Sequence, residues 1–224
     1  MKTLFKAIAV ASLATATAAQ AELSASVAVD SSYIFRGLEM DGSNTASVTV
    51  EYEVAGFTIG AWIADANEAG FVETDLSLSY TAAIAGHDVT ISYVDFAYDY
   101  DGDSLLDDQS NQEISISTSI SGLGISYTDG SATVTNTDVN PNVNVDGDYD
   151  VLTVDYTLGN TNILLGNVRI DDAAEDYSYF EISNDVGQVA GLDVSLSYIG
   201  TFSEDGGDGD NNAFVIGLSK GFDL

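Results

Sequence analysis

The chain is 224 residues long and sets 36 Asp and Glu against 5 Lys and Arg, a formal net charge of −31 at neutral pH. Five cations cannot build the basic stripe that phosphate backbones demand, which excludes nucleic acid as a partner. With no Cys and one His, His87, disulfide frameworks, thiol chemistry and structural zinc are excluded too.

The chain is nonetheless 45% hydrophobic, with 12 Tyr, 9 Phe and 1 Pro, far too apolar for an acidic disordered tail. It folds, and its length suits one all-β barrel or sandwich. At the N-terminus, Lys2 and Lys6 precede a run of small residues from Ala7 to Ala19, and Ala19-Gln20-Ala21 is the small-x-small pattern that a signal peptidase cuts. Residues 1–21 are expected to be a signal peptide and residues 22–224 the folded domain. Beyond Ala21 the cations are Arg36, Arg169 and Lys220, and no Cys follows the cut to take a lipid. No later run reaches the roughly twenty apolar residues of a membrane helix. A soluble secreted β protein and an outer-membrane barrel remain.

Period two decides between them. In residues 46–54, Ala46, Val48, Val50, Tyr52 and Val54 share one face while Ser47, Thr49, Glu51 and Glu53 share the other. The pattern recurs in Val72, Thr74, Leu76, Leu78 and Tyr80, in Leu152, Val154, Tyr156 and Leu158, and in Leu192, Val194, Leu196 and Tyr198. Strands are expected at 23–36, 44–54, 57–65, 71–82, 88–98, 112–120, 123–134, 149–158, 161–170, 177–186, 191–201 and 213–224. Most have the roughly nine to eleven residues that a tilted membrane strand needs.

Short turns at Ala55-Gly56, around Ala85-Gly86-His87, at Ser121-Gly122, at Gly159-Asn160 and from Gly187 to Ala190 alternate with polar connections, several of them long. That alternation and the even strand count are the topology of an antiparallel up-and-down transmembrane barrel with periplasmic termini. Tyr52, Tyr80, Tyr156, Phe57, Tyr127 and Phe222 fall into one aromatic belt, with Tyr33, Phe35, Phe180, Tyr198 and Phe214 expected in the other. Two strands fit poorly. The alternation turns Asp95 outward in 88–98 and Asp129 outward in 123–134, unless a bulge near Gly130 resets the latter.

Ser31-Ser32-Tyr33-Ile34-Phe35-Arg36-Gly37, Gly56-Phe57-Thr58-Ile59-Gly60-Ala61-Trp62 and Glu73-Thr74-Asp75-Leu76 resemble the opening of the TorF-type porin-like proteins, a proteobacterial family. The resemblance is best over residues 30–80 and departs at Ser32, where an acid is expected, and at the acidic Glu39-Met40-Asp41. It implies an outer-membrane porin role and no catalytic residues.

If the apolar face meets lipid, the opposite face lines the lumen. That set holds Asp30, Glu51, Glu53, Glu73, Asp75, Glu113, Asp155, Glu181, Asp185 and Asp193, with Arg36 and Arg169 as its cations. Such a wall attracts cations, though carboxylates also simply keep a lumen wet. Twelve strands give a backbone cylinder about 24 Å across, narrowed to roughly half by side chains. Arg36 and Arg169 sit toward the loop end with Glu73, Asp75, Glu113 and Glu181, either facing them across a constriction or pairing with an acid on an adjacent strand. Trp62 projects inward, either to fill the lumen or to stack a ring.

The acidic loops around Asp99, Asp101 and Asp103 and around Asp208 and Asp210 are weak candidates for divalent cations bridging to lipopolysaccharide, and incomplete as EF-hand or β-roll motifs. No cofactor is implied. His87, in a turn at the end opposite the loops, cannot join a Ser at the outer rim, so no hydrolase is expected. The sequence therefore points to a passive, cation-preferring porin-like channel. The alternative is a structural or adhesive barrel without an open pore.

Overall fold

The computed structural model describes residues 21–66, 71–99, 109–133, 147–171, 176–203 and 212–224. The expected signal peptide lies outside them, apart from Ala21. Fourteen strands are present among the described residues: β1 (Glu22–Asp30), β2 (Tyr33–Phe35), β3 (Leu38–Asp41), β4 (Thr45–Val54), β5 (Phe57–Ala66), β6 (Phe71–Ile84), β7 (His87–Asp99), β8 (Gln109–Ile120), β9 (Leu123–Thr133), β10 (Gly147–Leu158), β11 (Thr161–Ile170), β12 (Tyr177–Val189), β13 (Leu192–Ser203) and β14 (Asn212–Asp223). Twelve of them form one closed antiparallel barrel, each paired with its neighbour in the chain and the last, β14, with β1. β2 and β3 stand apart as a two-stranded hairpin.

The alternation that marks the strands is also what closes the barrel. Val48, Val50, Tyr52, Ile59, Leu76, Leu78, Ile91, Ile116, Leu165 and Ile216 are exposed on the outer surface, between residues that face inward. An apolar exterior enclosing a more polar interior is the inverse of a soluble barrel and the arrangement of one that crosses a membrane. In the loop-end belt, Phe180 lies 5.5 Å from Tyr198 and stacks on Phe202 at 5.4 Å. In the turn-end belt, Phe57 lies 4.6 Å from Tyr80.

The tight connections are X-Gly pairs with both residues at positive φ: Ala55 and Gly56, Ala85 and Gly86, Ser121 and Gly122, Ala190 and Gly191. Two consecutive left-handed residues match the twist of a two-residue hairpin, and Gly takes the second position without strain. The turn expected from Gly187 to Ala190 is shorter, because β12 runs on to Val189 with a register shift between Asp185 and Gly187.

Two expectations are corrected, and a third is settled. The strand expected at 23–36 ends at Asp30, and residues 33–41 fold back on themselves as the hairpin. Tyr33 and Phe35 therefore leave the outer belt for the interior. No bulge forms near Gly130: Thr128, Asp129 and Gly130 pair without interruption to Val151, Asp150 and Tyr149, so Asp129 stays on the outer face. Gly130 serves a different purpose, since a Cβ there would enter the Tyr149 ring.

Candidate functional site

The barrel interior holds the hairpin. Its root is fastened where Ser31 N–H donates to the Ile216 carbonyl and Ile216 N–H donates to Ser31 Oγ, each at 3.0 Å. Its own two arms are braced by Ser32 Oγ donating to Glu39 Oε1 at 2.5 Å. The tip is Arg36-Gly37 at φ 50° and 84°, the same X-Gly signature as the turns of the barrel.

From this root the hairpin spans the bore. Tyr33 packs against Trp62 of β5 at a centroid distance of 5.9 Å, joins Phe71 and Tyr98 in one cluster, and donates its hydroxyl to Glu73 Oε2 of β6 at 2.5 Å. Phe35 meets the edge of Phe96 of β7 at 6.1 Å. On the other side Ile34 is buried with Ile199 of β13 and Val215 of β14. Gly37 lies so close to Tyr179 of β12 and Thr201 of β13 that a Cβ there would overlap both, and its positive φ excludes side chains independently. Tyr33, Ile34 and Phe35 are consecutive apolar residues because both faces of the hairpin are covered.

Arg36 occupies the centre. Its Nη2 donates to Glu113 Oε1 of β8 at 2.5 Å, and Tyr149 of β10 donates its hydroxyl to the same oxygen at 2.5 Å. The guanidinium also lies over the rings of Phe35 at 4.6 Å and Tyr149 at 5.2 Å. With both partners largely sheltered, at 14% and 9% exposure, the pair is far less screened than a surface salt bridge. Arg36 thus pairs with an acid, but across the lumen from the hairpin rather than along the wall.

The sequence-derived set divides accordingly. Asp30, Glu51, Glu53, Glu73, Asp75, Glu113, Asp155, Glu181 and Asp193 lie on the inward face, alternating with the exposed apolar residues, and Trp62 packs against Tyr33 of the hairpin. Glu73, Asp75, Glu113 and Glu181 lie on the loop-end half of their strands; Glu51, Glu53, Asp155 and Asp193 lie toward the short turns. Asp193 is buried and accepts from Gln188 Nε2 at 2.7 Å; Glu181 accepts from Ser197 Oγ at 3.3 Å. The space beside Gly60 is taken by Ser77 and Glu51.

Arg169, expected in the lumen, does not belong to the inward set. It is exposed on the outer face with Ile163 and Leu165, while Leu164, Gly166 and Val168 turn inward, and its register partner is Asp150, which pairs in turn with Asp129. The phase of the strand, and not the acids near its loop end, fixes the face on which Arg169 emerges.

Nor is the inner wall uniformly wet. Val151, Leu164, Val168 and Tyr179 form a buried apolar patch on β10–β12. The signal in the sequence is a doubled apolar residue, as in Ile163-Leu164-Leu165, Tyr198-Ile199 and Val215-Ile216, where strict alternation fails.

Of the loop candidates for divalent cations, Asp99 is buried at the end of β7, and Asp101, Asp103, Asp208 and Asp210 lie outside the described residues. No group of three or more His, Cys, Asp or Glu converges on one point among the described residues. His87 is exposed at the short-turn end of β7.

No family profile and no curated protein matches the chain. Among solved structures, a chain from work on the in-meso crystallization of membrane proteins is similar over 91% of this chain and 84% of its own, at 9% identity and a TM-score of 0.59. OccAB3 of Acinetobacter baumannii is similar over 88% of this chain, at 10% identity and a TM-score of 0.47. OccK5 (OpdH) of Pseudomonas aeruginosa is similar over 81%, at 11% identity and a TM-score of 0.47. The chain spans 60% of the length of the former and 59% of the latter. At these identities the likeness is one of fold. Closed topology, apolar exterior and carboxylate-bearing interior together define a transmembrane β-barrel with a hairpin folded into its bore.

Proposed function

We propose that the chain is an outer-membrane, porin-like channel through which small cations diffuse passively, with the β2–β3 hairpin narrowing the bore. The observation that carries this reading is the charge of the inner face. Asp30, Glu51, Glu53, Glu73, Asp75, Glu113, Asp155, Glu181 and Asp193 face inward, and Arg36, already paired with Glu113, is their cationic counterpart among the described residues. With Arg169 outside, the inner wall is more one-sidedly acidic than the sequence set suggested. Such a lining concentrates cations and repels anions.

The resemblance of residues 30–80 to the TorF-type porin-like proteins supports the same reading, as does the signal-peptide pattern of residues 1–21, which would bring the termini to the periplasm. The acidic external loops would bind divalent cations loosely and bridge to lipopolysaccharide phosphates. No step of this function needs a catalytic residue or a cofactor.

The test is single-channel recording of the refolded protein in a planar bilayer under a KCl gradient. A reversal potential of the sign for cation flow is expected; one of the opposite sign would overturn the charge argument. A second reading rests on the hairpin's contacts with β5 to β8, β10 and β12 to β14, which fill much of the outer half of the bore. In that reading the barrel is plugged and serves a structural or adhesive role, and a correctly folded sample shows no conductance at all.

A further inference from the structure

Two inward carboxyl groups each keep one buried oxygen without a hydrogen-bond partner. Glu73 is 1% exposed; its Oε2 accepts from Tyr33, but its Oε1 is buried with no hydrogen-bond partner. Asp75, two residues on along the same face of β6, has a buried Oδ1 that also lacks a partner, and the two groups lie within hydrogen-bonding reach of each other. Two carboxylates cannot hydrogen-bond to one another, so something positive must lie between them if both are ionised. Arg36 does not supply it, being held by Glu113 and Tyr149.

We infer that Glu73 Oε1 and Asp75 Oδ1 form a cation-binding step inside the bore, taking a small hard cation that keeps part of its hydration shell. This rests on the channel reading above and deepens it by naming where the ion pauses. Hard cations take oxygen donors, and two carboxylates without a third make a partial cage. A partial cage suits a permeation site, where an ion must bind well enough to enter and weakly enough to leave. Asp75 is only partly buried, so the ion reaches the pair from that side. Through Tyr33, which donates to Oε2, the hairpin also restrains the Glu73 carboxyl group.

Trp62 provides the readout. It is the only tryptophan of the chain and lies directly across the β5–β6 ladder from Asp75. Terbium(III) added to the refolded protein and excited through tryptophan is expected to luminesce and to be displaced by calcium. D75N, which leaves the Tyr33–Glu73 hydrogen bond intact, is expected to weaken terbium binding by roughly tenfold or more, as is E73Q. D129N, on the outer wall, is expected to leave it unchanged. The folded state of each variant is checked by its heat-modifiable gel mobility.

Tryptophan-sensitised signal that survives both D75N and E73Q would overturn the inference, as would its absence from folded wild-type protein, which would mean that the pair holds a shared proton instead. Recordings separate this failure from that of the channel reading. Conductance without terbium binding removes the site and keeps the channel; terbium binding without conductance does the reverse.

Discussion

Arg36 is held by one carboxylate, one phenol and two ring faces, and its charge is balanced inside the barrel rather than by water. Removing one partner of such a pair leaves an uncompensated charge in a sheltered place, at a cost of about 3 kcal/mol. E113Q is therefore expected to loosen the hairpin tip while leaving the barrel closed. Hydrogen exchange at the amides of residues 33–41 should speed up, and the single-channel current should become noisier; unchanged exchange would mean that apolar packing alone holds the tip. Asp129 raises a different question, since it is exposed on the outer face beside Ile114 and Asp150. A carboxylate turned toward lipid is costly, so D129V should stabilise the barrel in vesicles by up to about 2 kcal/mol, measured by urea titration. A destabilising effect would indicate that a polar surface covers that stretch of wall.

The hairpin and the barrel are separable elements. β1 and β4 pair without interruption from Glu22 and Glu53 to Asp30 and Thr45, so the sheet is complete at the root of the hairpin without it. Replacing residues 32–43 by a short Asn-Gly turn should therefore leave a barrel that still shows heat-modifiable mobility, with a unit conductance several times that of the parent chain. Conductance that does not rise would place the constriction elsewhere. Aromatic rings over glycines serve the same economy: Tyr149 covers Gly130, Tyr179 covers Gly166 and Phe180 covers Gly200, each filling space that a Cβ would occupy.

For the molecule as a whole, charge and oil are sorted by face. The acids inside act on an ion over a distance set by salt, because the screening length falls from about 10 Å at 0.1 M to about 3 Å at 1 M. Set against a bore roughly half of a 24 Å backbone cylinder, preference arising from the diffuse field of the wall should fall toward none at 1 M. The bilayer recording in KCl gradients centred on the two concentrations checks this. A preference that persists at 1 M would instead mark local contact with a few carboxylates, such as Glu73 and Asp75.

Much of this was legible in the chain by itself. Strand number, up-and-down order, short-turn end and the inward set on β4, β6, β8 and β13 all follow from period two and X-Gly turns, because a lipid-facing barrel must show oil outward at every second residue. Arg36-Gly37 carries the same turn signature as Ala55-Gly56 and Tyr33-Ile34-Phe35 breaks the alternation, yet the expected strand ran on to residue 36, so the hairpin itself was missed. What the chain alone left open was which surfaces would cover it. Glu113, Tyr149, Tyr179 and Thr201 come from strands far along the sequence and meet Arg36 and Gly37 only once the sheet has closed on itself, so the filled bore was decided by tertiary structure.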